Sequence, residues 1–205
     1  MVDRRPAVID DAPQWRGQLV PAYVHDVLQQ DGSMRYVELR RHTDNDGDHL
    51  SAQGAADAEG IGQTGLHPPY ALFVSTGAER ASEMLSILRR AAGQDEIPIT
   101  TETGLRSVVE DRWREAAKAA GKGASLEEIR SVDPDLVEKE SQLLGAALRR
   151  VVDGLPDDGR ALVVGHSPTN EAAVCGLTSQ IIAPLAKGEG VLVVEDAGRY
   201  EVHPL

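Results

Sequence analysis

Three short β-rich stretches of this chain each run directly into a cationic or imidazole side chain. The first leads into Arg40-Arg41-His42-Thr43, the second into Ser75-Thr76-Gly77-Ala78-Glu79-Arg80, and the third into Gly165-His166-Ser167-Pro168. Taken singly, an arginine at a helix start or a histidine at a strand end is ordinarily solvated or hydrogen-bonded structure. Taken together, Arg41, His42, Arg80 and His166 put two guanidiniums and two imidazoles at three strand ends, a set that repels itself unless an anion lies within it. A phosphate monoester dianion is the natural occupant.

The elements that must position these residues follow from local pattern. Apolar runs at Tyr36 to Leu39, Ala71 to Val74 and Ala161 to Val164 each stop at a polar turn and precede a helical pattern, which predicts an α/β fold with a mostly parallel sheet flanked by helices in three layers. In such sheets ligands bind beyond the carboxyl ends of the strands, where the four residues fall. Met84, Leu85, Ile87, Leu88 and Ala91 form one helical face before a stop at Gly93. Ser125 with Glu128 has capping-box spacing. Asp133-Pro134 reads as cap and first residue of a helix whose stripe is Leu136, Val137, Leu143, Leu144, Ala147, Leu148 and Val151, ending near Gly154. Residues from about 101 to 160 therefore read as a helical insertion. Gly190 to Glu195 and Arg199 to His203, joined by Asp196-Ala197-Gly198, read as a closing hairpin at the sheet edge. Residues 1–33 mix Pro, Asp and Gln before the breaker Asp31-Gly32-Ser33 and read as an appendage to a domain spanning 34–205.

Bulk properties narrow the partners. A chain of 205 residues that is 41% hydrophobic buries one sizeable core, and a net charge of -12 opposes binding to nucleic acid or an anionic membrane surface. A cationic pocket still holds a small anion inside an acidic protein, because charges are screened over about 8 Å at physiological salt. No stretch has the about 18 consecutive apolar residues of a membrane span, and the amino terminus lacks a signal-peptide core. The single Cys175 sits among apolar neighbours and reads as a packed thiol in a reducing, cytoplasmic setting.

These blocks resemble the histidine phosphatase, or phosphoglycerate mutase, superfamily. Its Arg-His-Gly after the first strand stands here as Arg41-His42-Thr43, followed by Leu50-Ser51-x-x-Gly54 and Ala58-Glu59; the segment STGAERASEML is similar to its Ser-Ser-Pro-x-x-Arg-Ala; ALVVGHSPTNEAAV is similar to its strand, Gly-His and helix. The resemblance runs in order from about Tyr36 to Leu177 and implies a phosphoglycerate mutase-like fold. It further implies a metal-independent phosphatase without cofactor, in which His42 is the nucleophile, Arg41, Arg80 and His166 hold the phosphate, and a phosphohistidine is hydrolysed by water. The substrate so implied is a small phosphorylated molecule or a phosphoprotein; phosphatase and mutase are not separated by these blocks, and nothing here indicates an oligomeric state.

Two departures stand out. Thr43 replaces the family's glycine, which suggests a narrower pocket. The general acid, a glutamate in a Leu-x-Glu segment, is replaced by Ser107 in Leu105-Arg106-Ser107, which leaves Glu110 first, then Asp111 or Asp44, to protonate the leaving oxygen. The same departures motivate the alternative of a weakly active or inactive phosphate-binding regulatory module. A serine hydrolase using Ser167 with Asp196 and His203 is less well supported. Thr169 stands where the nucleophile elbow needs glycine, and Ser167 as a helix cap with Pro168 first in the helix explains those residues. The run Asp44-Asn45-Asp46-Gly47-Asp48-His49 lacks the glycine at position six and the glutamate at position twelve of a calcium loop and reads as a solvated loop at the pocket mouth. His25, His49, His67 and His203 show no metal-ligand spacing, so no metal site is expected.

Overall fold

The structure, a computed structural model, describes residues 33–205; the appendage expected over 1–33 lies, apart from Ser33, outside the described residues, as does His25. Its elements are β1 (Met34–Arg41), β2 (Asn45–Asp46), β3 (His49–Leu50), α1 (Ala52–Thr64), β4 (Leu72–Ser75), α2 (Glu79–Ala91), β5 (Ile99–Thr101), a 3-10 turn (Thr103–Leu105), α3 (Glu110–Ala120), α4 (Leu126–Val132), α5 (Pro134–Asp153), β6 (Arg160–Gly165), α6 (Thr169–Thr178), β7 (Gly190–Asp196) and β8 (Arg199–Pro204). Six strands form one sheet in the order β5-β4-β6-β1-β7-β8. β5, β4, β6 and β1 are mutually parallel, and the β7–β8 hairpin closes one edge antiparallel to β1.

The central strands are apolar runs because both of their faces are covered. Alternate residues serve opposite sides. Phe73, Leu162 and Val164 pack with Ala58 of α1 and Ala81, Met84, Leu85 and Leu88 of α2. Val37, Leu39, Val74, Ala161 and Val163 pack with the helices from α3 to α6. The result is a three-layer α/β/α arrangement, as the pattern predicts.

Side-chain caps set three of the six helix starts among the described residues. Ser125 and Glu128 form the full capping box of α4, and the Asp133 carboxylate accepts from the Leu136 amide at 3.1 Å to cap α5. The α5 stripe is buried at Leu136, Val137, Leu144, Ala147, Leu148 and Val151, but Leu143 is 63% exposed, and Ala91 of α2 is likewise on the surface. Both sit at the margin of an apolar arc wider than the layer it covers. α5 and α6 cross closely: a Cβ on Gly176 would lie 1.7 Å from the Ser141 carbonyl oxygen, so the crossing requires glycine there. The short edge strand β5 escapes sequence reading because three residues, two of them exposed threonines, carry no period-two signal.

Among the described residues no helix is long and apolar enough to cross a membrane, and no group of three or more His, Cys, Asp or Glu side chains is disposed to hold a metal ion.

Candidate active site

Strand order decides what converges. β4, β6 and β1 are neighbours and run parallel, so Ser75, Gly165 and Arg41 end on one edge of the sheet, with Ser75 beside Val164 and Arg41 beside Gly165. Successive residues of β1 point to opposite faces. Arg40 accordingly turns away, donating to the carbonyls of Gly65 and Gly188 and pairing with buried Glu38 at 3.7 Å, while Arg41 donates to the Leu185 carbonyl at 2.7 Å. The ends of β1 and β6 are tied together by the His42 amide donating to the Gly165 carbonyl at 3.0 Å. Asn170 reinforces the tie: its amide nitrogen donates to the Arg40 carbonyl at 3.1 Å, and its oxygen accepts from the His166 amide at 3.2 Å.

Three of the four strand-end residues, His42, Arg80 and His166, meet at one point, and Arg41 acts on both imidazoles through its charge. The His42 and His166 rings lie edge to face, their centroids 5.2 Å apart. The Arg80 guanidinium bridges them, with Nε donating to His42 Nε2 and Nη2 to His166 Nδ1, both at 3.2 Å. Nδ1 of His42 lies 2.7 Å from the Thr43 carbonyl, which only accepts, so the ring proton sits on Nδ1 and the Nε2 lone pair faces Arg80. Nε2 of His166 lies 2.9 Å from the Thr76 hydroxyl, which completes the complementary tautomer. Burial, aided by Arg80, Arg41 and Lys187 and opposed by the Thr43 carbonyl, lowers the His42 pKa to about 4. Burial, with Arg80, His42, Arg106 and Arg41, lowers that of His166 to about 3. Both imidazoles are therefore neutral at pH 7. Burial also lowers the pKa of Arg41, which nonetheless remains a cation.

A cleft of about 290 Å³ opens beside His166 and Arg80 and is walled by Arg106, Ser107, Glu110, Trp113 and Pro168. Glu110 lines this cleft, its carboxylate accepting from Arg106 Nε at 2.6 Å. Asp111 instead pairs with Arg114 at 2.7 Å and is 87% exposed. Asp44 accepts from Lys187 at 2.5 Å and from Ser51 at 2.7 Å. Ser107 is buried, its hydroxyl accepting from the Val109 amide.

Several expectations are corrected. Thr43 does not narrow the pocket: its hydroxyl donates to the Gly54 carbonyl at 2.7 Å and thereby ties β1 to α1. The run from Asp44 to His49 is solvated, with Asp46 to His49 exposed, but Asn45–Asp46 and His49–Leu50 pair as a short hairpin, and Asp48 pairs with Arg80 Nη1. α6 begins at Thr169 with no side-chain cap, and the Ser167 hydroxyl donates to Glu171 at 2.6 Å. The serine triad fails on topology, because Asp196 pairs with Met34 at the opposite end of β1 from Ser167. Of the remaining histidines, His49 pairs with Glu83, His67 with Glu38 and His203 with Glu201. Thr76, Asn170 and Asp48 were missed. Their types are common at turns, and only the assembled sheet reveals what they face.

No family model matches the sequence, and no curated protein matches it. The fold is that of solved phosphoglycerate mutase-like structures. A phosphoglycerate mutase from Bacillus anthracis is 19% identical at a TM-score of 0.64, over 85% of this chain and 94% of that one. A putative alpha-ribazole-5'-phosphate phosphatase from Escherichia coli is 16% identical at a TM-score of 0.57, over 83% and 95%. A mycobacterial glucosyl-3-phosphoglycerate phosphatase, solved with VO3, is 14% identical at a TM-score of 0.58, over 83% and 98%.

Proposed function

We propose that this chain, built on the phosphoglycerate mutase-like fold, is a histidine phosphatase that hydrolyses a phosphate monoester through a phosphohistidine at His42. The observation that carries the reading is the Arg80 guanidinium bridging Nε2 of one neutral imidazole and Nδ1 of the other at 3.2 Å. A phosphate dianion entering there takes over the donors of Arg80 and frees the Nε2 lone pair of His42 for in-line attack. Arg41, Arg80 and His166 hold the three equatorial oxygens as charge spreads over them, His166 once its proton stands on Nδ1 instead of on the Nε2 that faces Thr76. Water then attacks phosphorus and releases His42. The guanidinium groups of Arg41 and Arg80 supply the positive charge, and Glu110, in the adjoining cleft, is the acid that the sequence nominates for the leaving group.

The substrate class is a small phosphorylated molecule or a phosphoprotein, and water is favoured over a second phosphoryl acceptor because Ser107 stands where the family's glutamate is expected. That same serine favours a second reading, a regulatory module that binds phosphate without turning it over. Hydrolysis of p-nitrophenyl phosphate separates the two, since its good leaving group hardly needs an acid. The expected result for the purified protein is vanadate-sensitive hydrolysis that is lost in His42→Ala. Vanadate binding without hydrolysis selects the regulatory module; absence of both removes the phosphate pocket.

A further inference from the structure

His42, Arg80 and His166 hold one another by hydrogen bonds, whereas Arg41 donates to the Leu185 carbonyl at 2.7 Å. A guanidinium at the end of a long, rotatable side chain serves a phosphate only when something fixes where it points. For Arg41 that support is one peptide group. Leu185 lies in the segment between α6 and β7, which forms neither helix nor strand, so no regular backbone ladder sets the place of its carbonyl.

The Leu185 peptide is held from its other side. Its buried N–H donates to Glu171 Oε1 at 2.8 Å, and the Ser167 hydroxyl donates to the same oxygen at 2.6 Å. Glu171 is 2% exposed and stands in the first turn of α6, directly after the Asn170 that ties β1 to His166. Further along, the Gly188 amide donates to the Arg41 carbonyl at 3.2 Å and the Arg41 amide to the Glu189 carbonyl at 2.8 Å. The segment is thus fastened to α6 upstream and to β1 downstream. Charge agrees with this layout. Burial lowers the pKa of Arg41, and the charges of Glu171 first and Glu189 second oppose it. Yet Glu171 takes no donor from Arg41: Oε1 accepts from Ser167 and Leu185, and Oε2 is buried without a hydrogen-bond partner among the described residues. A direct ion pair would compete with phosphate for the guanidinium, and the intervening peptide avoids that competition.

We infer that Glu171 is the positioning residue of Arg41, acting through the Leu185 peptide, an assignment that rests on the phosphatase reading of the site. Without an acceptor for its buried N–H, the Leu185 peptide turns to find one, and the guanidinium bonded to its carbonyl turns with it. Arg41 then meets the phosphate out of place, and a misplacement of about 1 Å costs about 100-fold in rate. Reach, more than charge, decides the effect. Glu171→Gln keeps an oxygen at the same length, whereas Glu171→Asp keeps the charge and withdraws the oxygen by one methylene.

The test is a double-mutant cycle. kcat/KM for p-nitrophenyl phosphate is measured for the wild-type chain, Glu171→Asp, Glu171→Gln and Arg41→Gln, and for each Glu171 variant combined with Arg41→Gln. Glu171→Asp is expected to lose about 10- to 100-fold in the presence of Arg41 and less than about threefold in the Arg41→Gln background. The conservative Glu171→Gln is expected to recover most of that loss. Where Glu171→Asp does not fold, Glu171→Met, which keeps the side-chain volume and lacks the oxygen, takes its place with the same expectation. Losses that add across the cycle, as a general structural role gives, overturn the assignment, as does a wild-type rate in Glu171→Asp. A loss in Glu171→Gln as large as that in Glu171→Asp overturns the route through the Leu185 peptide. An inert wild-type chain removes the phosphatase reading and the assignment together, whereas an active wild type with additive losses removes the assignment alone.

Discussion

A histidine attacks phosphorus only while its ring is uncharged, and His42 is kept so by burial and by the positive charge of Arg80, Arg41 and Lys187. His166 is depressed further, first by burial and then by Arg80. The cost appears in stability. As pH falls below about 6.5, the unfolded chain protonates both rings while the folded chain, with pKa values of about 4 and 3, does not. The unfolded state thus binds more protons, and stability declines by roughly 3 kcal/mol for the two rings between pH 6.5 and 5. His49, whose pKa is raised by Glu83, works in the opposite direction, so the comparison must isolate the buried pair. The urea midpoint of the wild-type chain is expected to fall more steeply between those pH values than that of the His42→Asn/His166→Asn double variant. Parallel slopes would mean that the rings are not held neutral. Of the causes of this depression only Arg41 is a neighbour in sequence; burial, Arg80 and Lys187 are brought to His42 by folding.

The elements around the site are tied by contacts that tolerate little change. Ser51 caps α1 by accepting from the Gly54 amide at 3.0 Å and donates to Asp44 at 2.7 Å, while the Gly54 carbonyl accepts from Thr43. A Cβ on Gly54 would stand 1.9 Å from the Asp44 carbonyl oxygen, closer than atoms can approach. Gly54→Ala must therefore push α1 away from the segment that carries His42. The expected cost is about 1–3 kcal/mol, read as a lower Tm and a weaker shift of that Tm on adding vanadate. An unchanged Tm would mean that α1 does not sit against this segment. Leu-Ser-x-x-Gly was visible in the sequence as a pattern, but its reason, the close approach of a helix to a loop, was not. The Ser125 and Asp133 caps were readable because donor and acceptor lie within three residues of each other. Ser167 was misread for the converse reason: its partner, Glu171, is reached only because α6 starts one residue later than its Pro168 suggests.

At the scale of the molecule, the sheet and both apolar clusters lie within residues 33–205, which form one compact unit. A chain beginning at Ser33 is expected to unfold in a single cooperative transition and to retain hydrolysis of p-nitrophenyl phosphate within a few-fold. Loss of either would show that residues 1–32 complete the fold or the pocket. Sequence alone determined the succession of the longer strands and helices, though not β2, β3 or β5, because apolar periodicity, caps and breakers act over a few residues. It also placed Arg41 and His42 at the end of β1, Arg80 in the first turn of the helix after β4 and His166 just past β6, because the residues that follow a strand are a local property. The tertiary structure alone decided that β4, β6 and β1 lie side by side, so that three strand ends meet at one pocket. It alone turned Thr43 toward α1, sent Asp196 to the far end of the sheet and brought Asp48 onto Arg80. Those outcomes depend on which distant surfaces bury each other, and burial between elements far apart in the chain leaves no short-range mark in the sequence.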